Sequence, residues 1–135
     1  MLTAIAIFCE DIREEKAGTH SIIGVYSDNV SVPKFPISFP KLGIYVRLSF
    51  PAGEPPQPIS IQLVDVEGKV LELTTFKEEI IESASKQSLE AGATIGGLVA
   101  TAMLSPCHVK HAGRFKVLAK TGNREFTCGS LNVQS

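Results

Sequence analysis

The sequence predicts an all-β fold, a two-sheet antiparallel sandwich of about seven or eight strands with at most one short helix. Three observations predict it. Apolar runs of strand length recur along the chain, turn-forming residues separate most of them, and only one segment has even weak helical periodicity. The 135 residues have the size of one domain, residues 1–135, which can bury about two-thirds of its unfolded surface without a metal or a disulfide.

The first half of the chain carries the strands around which the sheets are predicted to form. Residues 2–9 are an apolar run with little alternation, which is typical of a strand covered on both faces. The charged residues 10–18 then predict a loop or one helical turn. Residues 20–32 are rich in β-branched and aromatic side chains, with an expected bend at Ser27-Asp28-Asn29. Residues 42–50 place large apolar side chains at every second position, so they predict a half-buried strand.

Residues 32–41 join two of these strands and interleave three prolines with Phe35 and Phe39. Proline removes a backbone donor and favours extended backbone, so this segment is predicted to be a loop. One interpretation is a lid that closes one end of the sandwich with its two rings. The other is a recognition loop, and on that interpretation Phe35 and Phe39 are the candidate interaction residues.

The middle of the chain predicts a hairpin followed by its only helix candidate. Residues 59–66 alternate, Asp65-Val66-Glu67-Gly68 has turn chemistry, and residues 69–76 return as the second strand. Residues 77–91 carry a weak apolar stripe interrupted by serines. A short helix and an ordered crossover loop both remain open for that segment.

The last third of the chain predicts three more strands. Residues 97–109 are interpreted as a strand bent or bulged at Ser105-Pro106, because the preceding glycines argue against a long helix. Residues 114–120 alternate between basic and apolar side chains, and Thr121-Gly122-Asn123 predicts a tight turn into a final strand over residues 125–133.

Composition and charge exclude several classes of partner. The net charge is −1, the pI is about 6.3 and the 13 Lys and Arg are scattered, so we expect no nucleic acid and no membrane as partners. No apolar run approaches the roughly 18 residues that span a bilayer. The first residues lack the basic segment of a secretory signal. With Cys9, Cys107 and Cys128 forming no close pair, reduced thiols and a cytoplasmic protein are predicted.

No motif in the sequence predicts catalysis. Cys107, His108 and His111 lie within five residues but lack the further ligands of a zinc site, so no metal is expected. Cys9, together with an acid and a histidine nearby, has the residue types of a cysteine hydrolase, but it ends an apolar strand, where thiols are normally buried and inert. The glycines fit no nucleotide-binding loop. We therefore predict no enzyme activity, no catalytic residues and no cofactor.

Three segments together resemble a known family. They are a first strand ending in Cys9-Glu10-Asp11, the run Ser21-Ile22-Ile23-Gly24-Val25-Tyr26 followed by Phe35-Pro36 and Pro40-Lys41-Leu42, and a closing Ala112-Gly113-Arg114-Phe115 strand. This pattern resembles a family of small uncharacterised bacterial and phage-encoded proteins, a domain of unknown function. The resemblance implies an immunoglobulin-like β-sandwich over most of the chain, with residues 77–97 fitting least. It implies no reaction and no site residues.

Two functional hypotheses follow. The first is a non-enzymatic protein-interaction or accessory module that binds a protein partner or a second copy of itself, through the Phe35 and Phe39 loop or a sheet edge. The second is a small-molecule or carbohydrate-binding domain, or a minor hydrolase, with a cleft at one end of the sandwich where Asp11, His20 and Asp28 would converge.

Overall fold

A computed structural model describes all of residues 1–135 and contains eleven strands and one helix. The mostly β class is therefore confirmed, although the strands outnumber the predicted seven or eight because several short segments also pair. The strands of the first half are β1 (Thr3–Glu14), β2 (His20–Val25), β3 (Asn29–Ser31), β4 (Ile37–Phe39), β5 (Leu42–Pro51) and β6 (Ile59–Val64). The rest are β7 (Val70–Phe76), the helix α1 (Glu78–Glu90), β8 (Ile95–Leu104), β9 (Cys107–Val109), β10 (Gly113–Thr121) and β11 (Arg124–Gln134).

The strands form three sheets. Sheet A has the order β2-β1-β5-β8, sheet B has the order β3-β11-β10-β6-β7, and β4 pairs with β9 in a small third sheet. All strand pairs are antiparallel except β3 with β11, which run parallel. The helix connects β7, at one edge of sheet B, to β8, at one edge of sheet A.

Sheets A and B share one hydrophobic core. The alternation predicted for residues 42–50 is confirmed, since the even-numbered side chains of β5 point inward and are at most 2% exposed. They meet the inward side chains of β6, β10 and β11, and the Phe8 and Phe115 rings lie 6.5 Å apart between the sheets. Burial of apolar surface on this scale is the main force that holds the two sheets together.

The first strand differs from its prediction. Residues 10–14 are not a loop or a helical turn but continue β1, because residues 11–14 pair with residues 20–23 of β2 in a hairpin. Gly18, at a φ of 85°, supplies the left-handed backbone that the turn of this hairpin requires. The single strand predicted over residues 20–32 is divided by the expected bend into β2 and β3, which belong to different sheets.

Residues 77–91 resolve as a helix. Ile81 is fully buried against the core, and the buried Ser85 donates a hydrogen bond to the backbone carbonyl of Ala52, just after β5. The predicted bend at Ser105-Pro106 is also present, as the break between β8 and β9. The helix is thereby fixed at the end of sheet A where β8 begins.

Candidate functional site

The Phe35 and Phe39 segment folds back onto the core. Phe39 lies on β4 and is only 9% exposed, and its ring contacts the Tyr26 ring at 6.4 Å between centroids. Phe35 is half-buried and packs against the same core. The segment therefore matches the lid interpretation. The proposed contact role of Phe39 does not agree with its burial, since a buried ring cannot meet a partner without unpacking.

The three residues of the predicted cleft lie at different places. Asp11 on β1 forms an ion pair with Lys41 at 3.6 Å, beside the Tyr26 ring. His20 begins β2, and its ring lies edge-on to Tyr45 at 5.7 Å on the outer side of sheet A. Asp28 precedes β3 and accepts a backbone hydrogen bond from the amide of Asn132 through its own carbonyl. No single depression has all three at its border, because Asp11 and His20 line separate ones and Asp28 lines neither.

Cys9 and Cys107 are buried, and Cys128 is half-buried. Burial raises the pKa of the Cys9 and Cys107 thiols, and it raises the pKa of Cys128 to about 11. A thiol with a raised pKa is protonated at neutral pH and is a poor nucleophile. Cys107 also pairs with Phe39 across the small sheet, while His108 and His111 are exposed, so these three residues do not form a cluster that could hold a metal.

The outer side of sheet B is mostly polar, although Val70, on the same side of β7 as Glu72, is 54% exposed. The Glu72 carboxylate accepts hydrogen bonds from Ser60, from Gln62 at 3.0 Å and from Thr75 at 2.9 Å, and these bonds lower the pKa of Glu72. On β10, Lys120 forms an ion pair with Glu125 at 3.5 Å. This side therefore has the charged and hydrogen-bonding groups of an ordinary solvated surface.

The outer side of sheet A is different, because large apolar side chains lie exposed on it. Ile5 and Ile95 are each 62% exposed, Val99 is 39% exposed and Met103 is 38% exposed. The register places Ile5 opposite Arg47 on β5, and Arg47 opposite Val99 on β8, so β1, β5 and β8 share this side. We call this surface the apolar face and define it by the four exposed apolar residues and the arginine among them, namely Ile5, Arg47, Ile95, Val99 and Met103.

Sequence reasoning missed the apolar face. The low alternation of residues 2–9 was interpreted as a strand covered on both sides, yet Ile5 is exposed and only the inner side of β1 contacts the core. The one available signal was the run of ten uncharged residues in β8, which lacks the polar alternation of a solvated strand.

β8 is also a sheet edge, against which α1 packs. It pairs with β5 through ten consecutive residues without a register shift, and no other strand pairs with it. Edge strands in natural proteins are normally short, charged, bulged or covered. Two of the other edges of the large sheets follow that rule, since β3 has three residues and β7 carries Glu72, whereas the edge strand β2 also exposes Val25.

No helix in the structure is long and apolar enough to cross a membrane.

Comparisons with known proteins identify a family and no activity. No curated protein matches the chain. One solved structure, Pseudomonas fluorescens alkylpurine DNA glycosylase AlkC bound to DNA containing an abasic site analog, aligns with 99% of this chain at 9% identity and a TM-score of 0.46. The alignment covers 30% of that chain, and we draw nothing from so distant a likeness. A sequence model described as a family of unknown function, DUF6941, matches residues 4–134. The chain therefore belongs to the DUF6941 family of unknown function.

Proposed function

We propose that this protein is a non-enzymatic interaction module that binds a protein partner through the apolar face of sheet A and the adjoining β8 edge. The exposure of Ile5, Ile95, Val99 and Met103 on one side of one sheet is the observation that carries the proposal. Arg47 separates Ile5 from Val99 in this row, and exposed apolar side chains grouped on one side in this way favour a site that another protein covers. Arg47, in the middle of this face, adds a residue type that is enriched at interfaces.

The contrast between the two outer sides supports this assignment. Both sheets bury one side in the same core, so core burial does not decide which side chains the other side carries. The outer side of sheet B has hydrogen-bonded Glu72 and paired Lys120 beside one exposed large apolar side chain, whereas sheet A exposes several, Ile5 and Val99 among them. Exposed apolar area of this kind favours association.

The immunoglobulin-like architecture forms part of the proposal. In that fold one sheet contains strands A, B and E, and the other contains C, F and G. The neighbours β1-β5-β8 and β6-β10-β11 reproduce this order, and hairpins join β6 to β7 and β10 to β11. The helix α1 occupies the place in the chain where strand D would lie between β7 and β8. Immunoglobulin-like sandwiches are common in binding proteins, which agrees with the interaction hypothesis.

The bacterial or phage origin and the cytoplasmic compartment remain predictions. The first depends on the sequence resemblance alone. The second depends on Cys9, Cys107 and Cys128, which are all free thiols. Such thiols persist in a reducing compartment.

A small-molecule or carbohydrate site is the second candidate. The observation that favours it is a depression of about 230 Å³ on the outer side of sheet A, lined by Ile12, Glu14, His20, Thr101 and Met103, among others. It presents a carboxylate, an imidazole and a hydroxyl. It is shallow and open, and Met103 also belongs to the apolar face, so a protein partner accounts for the same surface more completely.

Site-specific photo-crosslinking tests the proposed function. A photoreactive amino acid replaces Ile5 or Val99, and a matched variant carries it at Lys116 on the polar side of sheet B. In cells that naturally make the protein, we expect a discrete protein adduct from position 5 or 99 and none from position 116. Adducts from neither face position, or equal adducts from all three, would contradict the proposal.

A further inference from the structure

We infer that the β8 edge binds the β8 edge of a second copy of this chain, antiparallel and centred on Val99, to form one continuous eight-stranded sheet. The inference names the partner of the β8 edge and rests on the proposed function. The observation that supports this inference is the direction in which the unpaired backbone N–H and C=O groups of β8 point.

One hydrogen bond fixes that direction. The Ala52 amide donates to the Thr94 carbonyl at 2.9 Å, which continues the β5–β8 ladder by one pair. In an antiparallel ladder the backbone groups alternate between the two sides of a strand. The even-numbered residues of β8 therefore face β5, and the N–H and C=O groups of Gly97, Val99 and Thr101 point away from the sheet.

These outward groups have no partner within the chain. β8 pairs with β5 alone, and no backbone hydrogen bond outside the regular elements involves residues 95–104. A second strand can satisfy them at once, as occurs when one chain adds a strand to an exposed sheet edge.

The edge is self-complementary about Val99. A two-fold axis there places Val99 opposite Val99 of the second copy, Gly97 opposite Thr101, and Ile95 opposite Met103. Each of these residues directs its backbone groups outward, so every such pair is a hydrogen-bonded pair. No side chain in β8 is charged, so no like charges meet. An isologous contact of this kind closes as a dimer.

The nearest like charges are too far apart to oppose the contact. Arg47 lies opposite Val99 on β5. Three strand spacings separate it from Arg47 of the second copy, which is about 14 Å. This exceeds the Debye length of about 8 Å at physiological ionic strength, so their repulsion is largely screened.

The position beside β8 is one that a strand normally fills. In a constant-type immunoglobulin sandwich strand D lies beside strand E. Here the chain between β7 and β8 forms α1 instead, which packs against β8 and is held by Ser85 at Ala52, where β8 begins. The second copy would supply the missing strand, and the two apolar faces would become one surface of twice the width for a further partner.

Sedimentation of the purified protein across about 5–500 µM tests the inference. We expect wild type to reach twice the 14.5 kDa chain mass. Val99→Lys places two ammonium groups opposite each other and should weaken association at least about 100-fold. The matched variant Ile5→Lys adds the same charge on the same outer face but away from the edge, and it should leave association unchanged.

Three results would overturn the inference. The first is a wild type that is monomeric at all concentrations, and the second is a dimer that survives Val99→Lys. The third is a dimer that Ile5→Lys also abolishes, because that result would indicate that the apolar faces stack on each other. A monomer together with a discrete foreign adduct from position 5 would leave the proposed function standing.

If Val99→Lys does not fold, hydrogen exchange of the backbone amides in the wild type tests the edge pairing instead. The outward amides of Gly97, Val99 and Thr101 should become protected as concentration rises. Rapid exchange at every concentration would contradict the edge pairing.

Discussion

Gly96 and Phe50 lie directly opposite each other on β8 and β5, and a Cβ atom at position 96 would be 2.8 Å from Cε2 of the Phe50 ring. The ring is 2% exposed, so it can move away only by repacking in the core. The glycine therefore lets the β8 edge close over the core without a gap.

Gly96→Ala should destabilise the fold by about 1–3 kcal/mol, because the added methyl overpacks a site closed by a buried ring. The matched variant Gly53→Ala adds the same methyl where nothing lies within 4 Å, and the free energy of unfolding should change by less than about 1 kcal/mol. Denaturant unfolding measures both. Equal effects of the two variants would show that the Phe50 contact is not the cause.

Glu72 should contribute a small pH-dependent stability. Hydrogen bonds from Ser60, Gln62 and Thr75 favour its charged form and lower its pKa in the folded state below the ordinary 4.5. The stabilisation is therefore present above pH 4.5 and is lost as the pH falls through the lower folded pKa. Because the carboxylate is exposed, solvent screens it and the effect should be modest.

Thermal unfolding from pH 7 to pH 3 tests this expectation. Wild type should lose more stability over that range than Glu72→Gln, which cannot ionise at position 72. Glu54→Gln is the matched control, since its carboxylate makes no hydrogen bond, and it should follow the wild-type profile. A Glu72→Gln profile parallel to wild type would refute the role of the three donors.

The thiols should react as core side chains. With a pKa of about 11, only about one Cys128 thiol in ten thousand is ionised at pH 7. We expect its labelling by a disulfide reagent to be at least about 100-fold slower than that of free cysteine. Cys9 and Cys107, which are buried, should label only after unfolding in denaturant. Rapid labelling of native Cys9 near pH 7 would instead revive the hydrolase alternative.

The elements that could be predicted from sequence were those whose residue pattern depends only on neighbours in the chain. Strict alternation identified β5, and turn chemistry identified the β6–β7 and β10–β11 hairpins, because each depends on neighbouring residues alone. The three-residue strand β4 escaped prediction, because it lies in the predicted loop over residues 32–41 and becomes a strand only by pairing with β9, which is distant in the chain.

The apolar face could not have been assembled from sequence for the same reason. Ile5 and Val99 share one row only because Arg47 on β5 pairs with both. Side-chain type also failed to separate exposed from buried positions, as Phe39 is buried while Ile5 is in water. A large apolar residue is buried when the strand register turns its side of the strand toward the core. That register is a tertiary property.

The attachment of α1 gives a final prediction. The buried hydroxyl of Ser85 donates to the carbonyl of Ala52, so Ser85→Ala leaves a buried acceptor without its donor and should cost about 1–3 kcal/mol. The matched variant Ser83→Ala lies on the exposed side of the helix, where alanine's higher helix propensity should leave stability unchanged or slightly raised. Denaturant unfolding compares them. A neutral Ser85→Ala would show that Ile81 packing alone anchors the helix.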